Sequence, residues 1–224
     1  TWGGTLSTAG DVVFGGGKQF FVPTTAGGKR PDGRDLTSEL KTQGYNVALS
    51  RSEFDAIDPS VAKKAVGLFT NSHMSYDLDR DAAKEPSLSE MSLKALKLLQ
   101  KNQNGYFLMV EGGRIDHALH GTNAKRVMED TIAFDEAIKA ALAKVDLGNT
   151  LVVFTADHDH TLAINGYSKR GNPILDISRN YKDGKEAKDA DGWFLLGRTT
   201  LSLQQFGRAA SAFAHVNGLV PNEP

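Results

Sequence analysis

The sequence predicts an α/β fold, with a mainly parallel central sheet flanked by helices, and three observations carry that prediction. Short β-branched runs alternate with stretches of helical periodicity along most of the chain, the order expected of strands joined by helical crossovers. One run, Thr150 to Thr155, is almost continuously apolar, the pattern of a strand covered on both faces. Two of the runs end directly in clusters of acid and histidine, which is where open parallel sheets collect ligands.

The elements follow in order. Asp11 to Phe14 reads as a short buried strand running into Gly15-Gly16-Gly17. That triplet is a turn, and it is no P-loop because the Lys-Ser/Thr ending is missing. After a polar loop from Thr24 to Arg34, Asp35 caps a helix that ends at Gly44, with Leu36 and Leu40 on its buried face. Tyr45 to Leu49 is a strand, Ser52 to Ile57 a helical turn and Val66 to Phe69 a further strand. Thr70 to Glu85 holds Asp77, Asp79, Arg80 and Asp81. It lacks the glycine and terminal glutamate of an EF-hand loop, so a solvated connection is expected.

Ser87 to Glu90 has capping-box spacing, and Leu88, Met91, Ala95 and Leu99 trace one helical stripe. Tyr106 to Val110 is the next strand. Asn123 to Lys144 forms a long helix whose Val127, Thr131, Phe134, Ile138, Ala141 and Val145 recur at helical spacing as core residues. Thr150 to Thr155 is the last clear strand. From Gly166 to Asp191 the chain reads as surface loop, and Leu203, Phe206, Ala210 and Phe213 suit an amphipathic helix between Trp193 and His215. Two segments are expected: residues 1–192 as one α/β domain and 193–224 as a divergent tail.

Composition narrows the function. Lysine plus arginine (26) balances aspartate plus glutamate (27), so no global field recruits nucleic acid or an anionic membrane. The absence of cysteine removes disulfides, thiolate nucleophiles and Cys-type zinc sites, leaving oxygen and nitrogen as metal ligands. No apolar run approaches the roughly 18 residues needed to span a bilayer. The chain starts at Thr1 rather than Met, so the natural N-terminus and any export signal are expected upstream.

The chemistry lies in two stretches, Val110 to His120 and Thr150 to His160, which hold four of the six histidines. Asp116 and His120 are four apart, so on a helix they lie on one face and reach the same cation. Glu111 sits where the first strand ends, and Asp157 and His158 where the second ends. A lone Asp-His is usually a hydrogen-bonded pair or a helix cap, and His158-x-His160 alone reads equally as a satisfied pair beside a turn. Two strand-terminal clusters of one composition, however, are not needed for packing. Carboxylate and neutral imidazole suit zinc, and Glu with water suits magnesium. Two ions about 4 Å apart clamp the oxygens of a displacement at phosphorus, so phosphoryl transfer or hydrolysis is implied.

These motifs resemble the alkaline phosphatase family. The match rests on Val110-Glu111-Gly112-Gly113-Arg114-Ile115-Asp116-His117 with His120, and on Thr155-Ala156-Asp157-His158-Asp159-His160. Weaker similarity covers Asp11 to Gly17, Gly67-Leu68-Phe69 with Ser72-His73-Met74, and Arg170-Gly171-Asn172-Pro173. The resemblance implies an alkaline-phosphatase-like α/β sandwich, incomplete in this chain. It implies two zinc ions and one magnesium ion, with Glu111 similar to the magnesium ligand, Asp116 and His120 to ligands of the first zinc, and Asp157 and His158 to ligands of the second. His117, His160 and Arg114 are expected to support or supplement these ligands. Members hydrolyse phosphate monoesters through a phosphoserine, are usually dimeric, and in bacteria are commonly exported, so a periplasmic or secreted homodimer is the expectation for the complete protein.

The departures carry equal weight. The family's Asp-Ser-Ala nucleophile segment, its upstream metal-binding Asp and its phosphate-gripping Arg have no counterpart in these residues. Its late His-Thr-Gly motif, source of a third ligand for the first zinc, is not matched by His215-Val216-Asn217-Gly218. The catalytic nucleophile is therefore expected to be absent and the chain alone inactive. The competing readings are a non-catalytic divalent-metal-binding fragment and another metal-dependent phosphatase, sulfatase or phosphomutase of related fold. The sulfatase is disfavoured because no cysteine is present for a formylglycine.

Overall fold

The computed structural model describes residues 11–160, 162, 169–175, 179 and 182–186. The chain divides into two compact units, Thr1–Arg114 with Asp130–Val153, and Ile115–Glu129 with Phe154–Pro224. The expected helix between Trp193 and His215 lies outside the described residues.

The first unit contains the sheet. Strands β1 (Val12–Gly15), β2 (Asn46–Ala48) and β3 (Ala65–Leu68) run parallel in the order β1-β3-β2. Val12 and Asn46 face Ala65 from opposite sides, and Phe14 and Ala48 likewise face Gly67. With a ladder on each side, β3 is buried at every residue. The glycine triplet is structural, as expected. A Cβ at Gly16 would lie 2.1 Å from the Ser72 carbonyl oxygen. The Gly17 N–H donates to that same oxygen at 2.6 Å and the Lys18 N–H to Thr70 at 2.9 Å, so the exits of β1 and β3 are stitched together.

Helices α1 (Leu36–Thr42) and α3 (Leu88–Leu99) form where the caps predict, and α2 (Arg51–Ala56) starts one residue before the expected turn from Ser52. Asp35 accepts from the N–H groups of Thr37 and Ser38, and Ser50 accepts from that of Glu53. Ser87 and Glu90 close a reciprocal capping box. On α1 the buried side chain is Thr37, whose hydroxyl and N–H both donate to Asp35, whereas Leu36 and Leu40 are half-buried. On α3 Met91 and Ala95 are buried as expected, together with Leu96 and Leu98. Phe54 of α2 anchors the core. Its ring meets Phe14 and Phe69 edge-on at 5.3 and 5.4 Å, a favoured arrangement of aromatic quadrupoles. Arg51 joins Asp55 and Glu90 and so ties α2 to α3.

Two expected strands are overturned. Neither Tyr106–Val110 nor Thr150–Thr155 carries a ladder. Phe107 and Leu151 are each 88 % exposed, and Met109, Val153 and Phe154 are exposed too. The runs have the composition of covered strands without the neighbours that would cover them. Apolar, β-branched content favours extended backbone, but a strand also needs a partner's hydrogen bonds.

Helices α4 (Arg114–His120) and α5 (Ala124–Leu142) follow. On α5 Val127, Phe134, Ile138 and Ala141 are half-buried and Thr131 is exposed, while Ala124, Asp130 and Ala137 are the buried residues. Asp130 is only 9 % exposed and accepts the Asp77 N–H at 3.4 Å. Thr70 to Glu85 is thus more ordered than a solvated connection. Asp77 holds Arg80 at 2.9 Å, Glu85 accepts from the N–H and hydroxyl of Ser75, and Tyr76 lies under the Arg114 guanidinium at 3.7 Å. Burial pushes the Asp130 carboxyl up to about 6; the Asp77 N–H and Arg114 draw it down, and the Asp77 and Asp79 carboxylates raise it.

Two outcomes follow for stability. Phe54→Ala should cost about 3–5 kcal/mol in urea unfolding, the usual range for emptying a buried aromatic site. Asp130 has a folded-state pKa above its unfolded value, so its contribution is most favourable below about pH 4 and is lost as pH rises through about 6. Asp130→Asn should flatten that slope and stabilise the chain at about pH 8 by roughly 1–3 kcal/mol. Thermal unfolding across the pH range measures both effects.

Candidate metal centre

Helix α4 is a single span of seven residues, and it sets Asp116 one turn from His120. The Asp116 Oδ1 to His120 Nε2 separation is 3.5 Å. The chain beyond Phe154 brings the second cluster to the same carboxylate, with His160 Nε2 at 3.6 Å and His158 Nε2 at 3.9 Å from Asp116 Oδ1. All of these residues belong to the second unit. His158 and His160 are two apart in the sequence, and both rings reach the one carboxylate. Their rings lie 6.3 Å apart, and the His160 ring meets that of His120 edge-on at 4.5 Å and 86°.

His158 Nδ1 lies 2.8 Å from the Asp159 carbonyl oxygen. A carbonyl only accepts, so Nδ1 carries the proton and Nε2 keeps its lone pair in the neutral ring. That lone pair faces Asp157 Oδ2 at 3.4 Å. The same carbonyl bond, followed by the Asp157 carboxylate, raises the His158 pKa above the ordinary histidine value, against a small opposing effect of burial.

The donor set fits a divalent cation. One ligand atom each from Asp116, His120 and His160 lies within 4.8 Å of the others, and carboxylate plus neutral imidazole suits zinc and its neighbours. Asp157 and His158 form a second pair beside them. Glu111 lies in the first unit, exposed, just before α4. Arg114 belongs to that unit too and stacks on Tyr76. His117 is half-buried and its carbonyl accepts the Gly121 N–H at 3.1 Å, but its ring is not in the three-residue group. Sequence reasoning missed the buried Asp130, for which a single acid on a helical face gives no signal.

The profile of the alkaline phosphatase family matches residues 5–213. The chain belongs to the alkaline phosphatase family. The membrane-bound alkaline phosphatase of Bombyx mori is 39 % identical over 181 residues, covering 75 % of this chain and 33 % of the relative. The tissue-nonspecific isozyme of Rattus norvegicus is 39 % identical over 189 residues, covering 77 % and 36 %. The alkaline phosphatase of Thermus thermophilus superposes with a TM-score of 0.56 at 35 % identity, over 61 % of this chain and 28 % of that one. A variant of the TAB5 alkaline phosphatase from an Antarctic bacterium, with magnesium bound in its M3 site, shares the fold at TM-score 0.56 and 22 % identity, over 87 % of this chain and 60 % of that one. The chain thus spans about a third of the length of the curated relatives it matches.

Without metal, nuclear magnetic resonance should find the His158 ring titrating above the ordinary value of about 6.5. Asp157→Asn should bring that midpoint down, and an unmoved midpoint would mean the neighbouring carboxylate is not felt.

Proposed function

We propose that this chain carries part of a centre of two zinc ions and one magnesium ion that hydrolyses phosphate monoesters. Asp116 and His120 hold the first zinc, Asp157 and His158 the second, and Glu111 the magnesium. The observation that supports this most is the Asp116 carboxylate facing three imidazole Nε2 atoms at 3.5 to 3.9 Å, in a chain whose family assignment spans both motifs. Bound there, the paired ions would polarise a phosphoryl group and stabilise charge on the attacking and leaving oxygens.

The protein's own groups have defined tasks. Asp116 and Asp157 supply the anionic ligands, and the Asp159 carbonyl fixes the His158 tautomer so that Nε2 faces the site. Arg114 supports the ligand-bearing helix from its start, where it stacks on Tyr76, and His117 from its middle turn. No Asp-Ser-Ala segment occurs in these residues, so the attacking hydroxyl is supplied from outside them. The complete enzyme is read as a periplasmic or secreted homodimer; among the described residues no helix is long and apolar enough to cross a membrane. A second reading is a non-catalytic divalent-metal-binding fragment that uses the same ligands without turnover.

Release of a chromogenic phenol from its phosphate decides between them. The 224-residue chain alone should bind zinc weakly, lose that binding in Asp116→Ala/Asp157→Ala, and show little or no turnover. A chimaera placing residues 11–175 into the matching span of the silkworm enzyme should hydrolyse the ester with zinc at alkaline pH and fail in its Asp157→Ala form. A folded, zinc-loaded but inert chimaera would leave only the fragment reading.

A further inference from the structure

We propose that residues 75–85 form a closed arm that docks on α5 through Asp130 and swings off it as one body when the Asp130 carboxyl is charged. The arm is tied to itself. The Ser75 N–H and hydroxyl donate to the Glu85 carboxylate at 2.9 and 2.7 Å, which joins its two ends. Inside that closure Arg80 donates to the Asp77 carboxylate at 2.9 Å and to the Glu85 carbonyl at 3.3 Å. The Asp79 N–H bonds to the Tyr76 carbonyl at 2.9 Å, and the Lys84 and Glu85 N–H groups both bond to that of Asp81 at 2.9 Å. A surface loop whose ends meet and whose polar groups satisfy one another has the build of an Ω-loop, and such a unit keeps its shape when it leaves the body of the protein.

Its outside attachments are of another kind. None of residues 75–85 is buried, and Leu78, the arm's leucine, is 40 % exposed. The arm therefore has no buried apolar anchor, and segments of that sort open at low free-energy cost. What meets it is a buried carboxyl: Asp130 on α5, 9 % exposed, accepts the Asp77 N–H through both oxygens at 3.4 Å. Arg51 reaches the Ala82 carbonyl at 3.3 Å, and the Arg114 guanidinium lies over Tyr76. Neither guanidinium changes its charge with pH, so Asp130 is the contact that can switch.

Electrostatics sets the direction. Around Asp130 the arm presents Asp77 and Asp79, with Asp77 paired to Arg80, and α4 presents Arg114. On α5 itself Arg126 stands one helical turn earlier. Burial and the two carboxylates outweigh one N–H and one guanidinium, so the docked carboxyl holds its proton up to about pH 6. With the arm away that carboxyl is wetted and parted from both acids, and it returns towards the ordinary value of about 4. A group whose pKa is raised in the docked state favours docking fully below its free value and gives that contribution up as pH rises through the docked one. The arm is therefore held most firmly below about pH 4 and most loosely above about pH 6.

The test is amide exchange in the 224-residue chain, followed by nuclear magnetic resonance at about pH 5 and about pH 8 and corrected for the intrinsic rate at each. The Asp77 N–H should be less protected than the amides of β3 at both pH values, because the arm leaves without the chain unfolding. Its protection should fall about tenfold from the lower pH to the higher, while the Asp79 N–H, bonded inside the arm, keeps its own. In Asp130→Asn the fall should vanish. Asp79→Asn, which leaves the Asp130 carboxyl in place, should move the midpoint of the fall to lower pH. Asp77 protection equal to that of β3, or the same at both pH values, overturns the proposal from the unsubstituted chain alone. A fall that survives in Asp130→Asn, or a midpoint unmoved in Asp79→Asn, overturns it as well.

Discussion

Strand β3 is the constraint on which the first unit depends. Among the described strands it alone has ladder partners on both sides, and its four residues are buried. Gly67 lacks a side chain there because the rings of Phe69 and Phe14 occupy the space, at 2.4 and 2.9 Å from where a Cβ would stand. Those two rings then receive Phe54 between them, and α2 is set on the sheet by that contact. Further along, the short exits of β1 and β3 are bound to each other by Gly17 and Ser72. A parallel pair is joined only through distant chain, so each contact fixes segments some fifty residues apart and makes the local turn chemistry matter.

Much of this was legible because caps and turns are written in single residues. Asp35 and the Ser87-Glu90 box each mark a helix start that the structure shows, since a side-chain oxygen satisfies orphan N–H groups there. The runs 106–110 and 150–155 were misread for a different reason. Their composition records a liking for extended, covered backbone, but coverage belongs to the partner and not to the run. Phe107, Leu151 and Val153 are therefore exposed in segments whose residues favour burial. Thr37 taking the buried place of Leu36 and Leu40 is a smaller case, in which the apolar pattern of the helix did not say which side chain the sheet covers.

The candidate site was legible at the level of motif and less so at the level of role. Spacing of four placed Asp116 and His120 on one helical face, and α4 does so. Spacing of two placed His158 and His160 together, but it does not say which ring reaches Asp116 more closely or which is buried. That difference comes from the path of the backbone after Phe154, which no local pattern encodes. Asp130 was invisible for the converse reason: its environment is built by Asp77, Asp79 and Arg114, all of them on other elements earlier in the chain.

Helix α4 also places its charged residues at different points along its dipole. Asp116 stands in the first turn, where the positive end of the helix dipole favours an anion, and His120 stands at the last residue, where the negative end favours developing positive charge. Each effect is worth about 0.3–1 kcal/mol, and both favour the charge distribution that a carboxylate and a cation-bound imidazole present. Arg114 opens the same helix, at the end where a cation is disfavoured. The Tyr76 ring face at 3.7 Å offsets that cost, since a guanidinium over an aromatic face gains about 0.5–2 kcal/mol. A guanidinium cannot lose its proton to bind a metal, and here it is held on the ring of Tyr76. The one helix therefore sets its carboxylate and its imidazole side by side, while its own permanent cation is engaged on Tyr76.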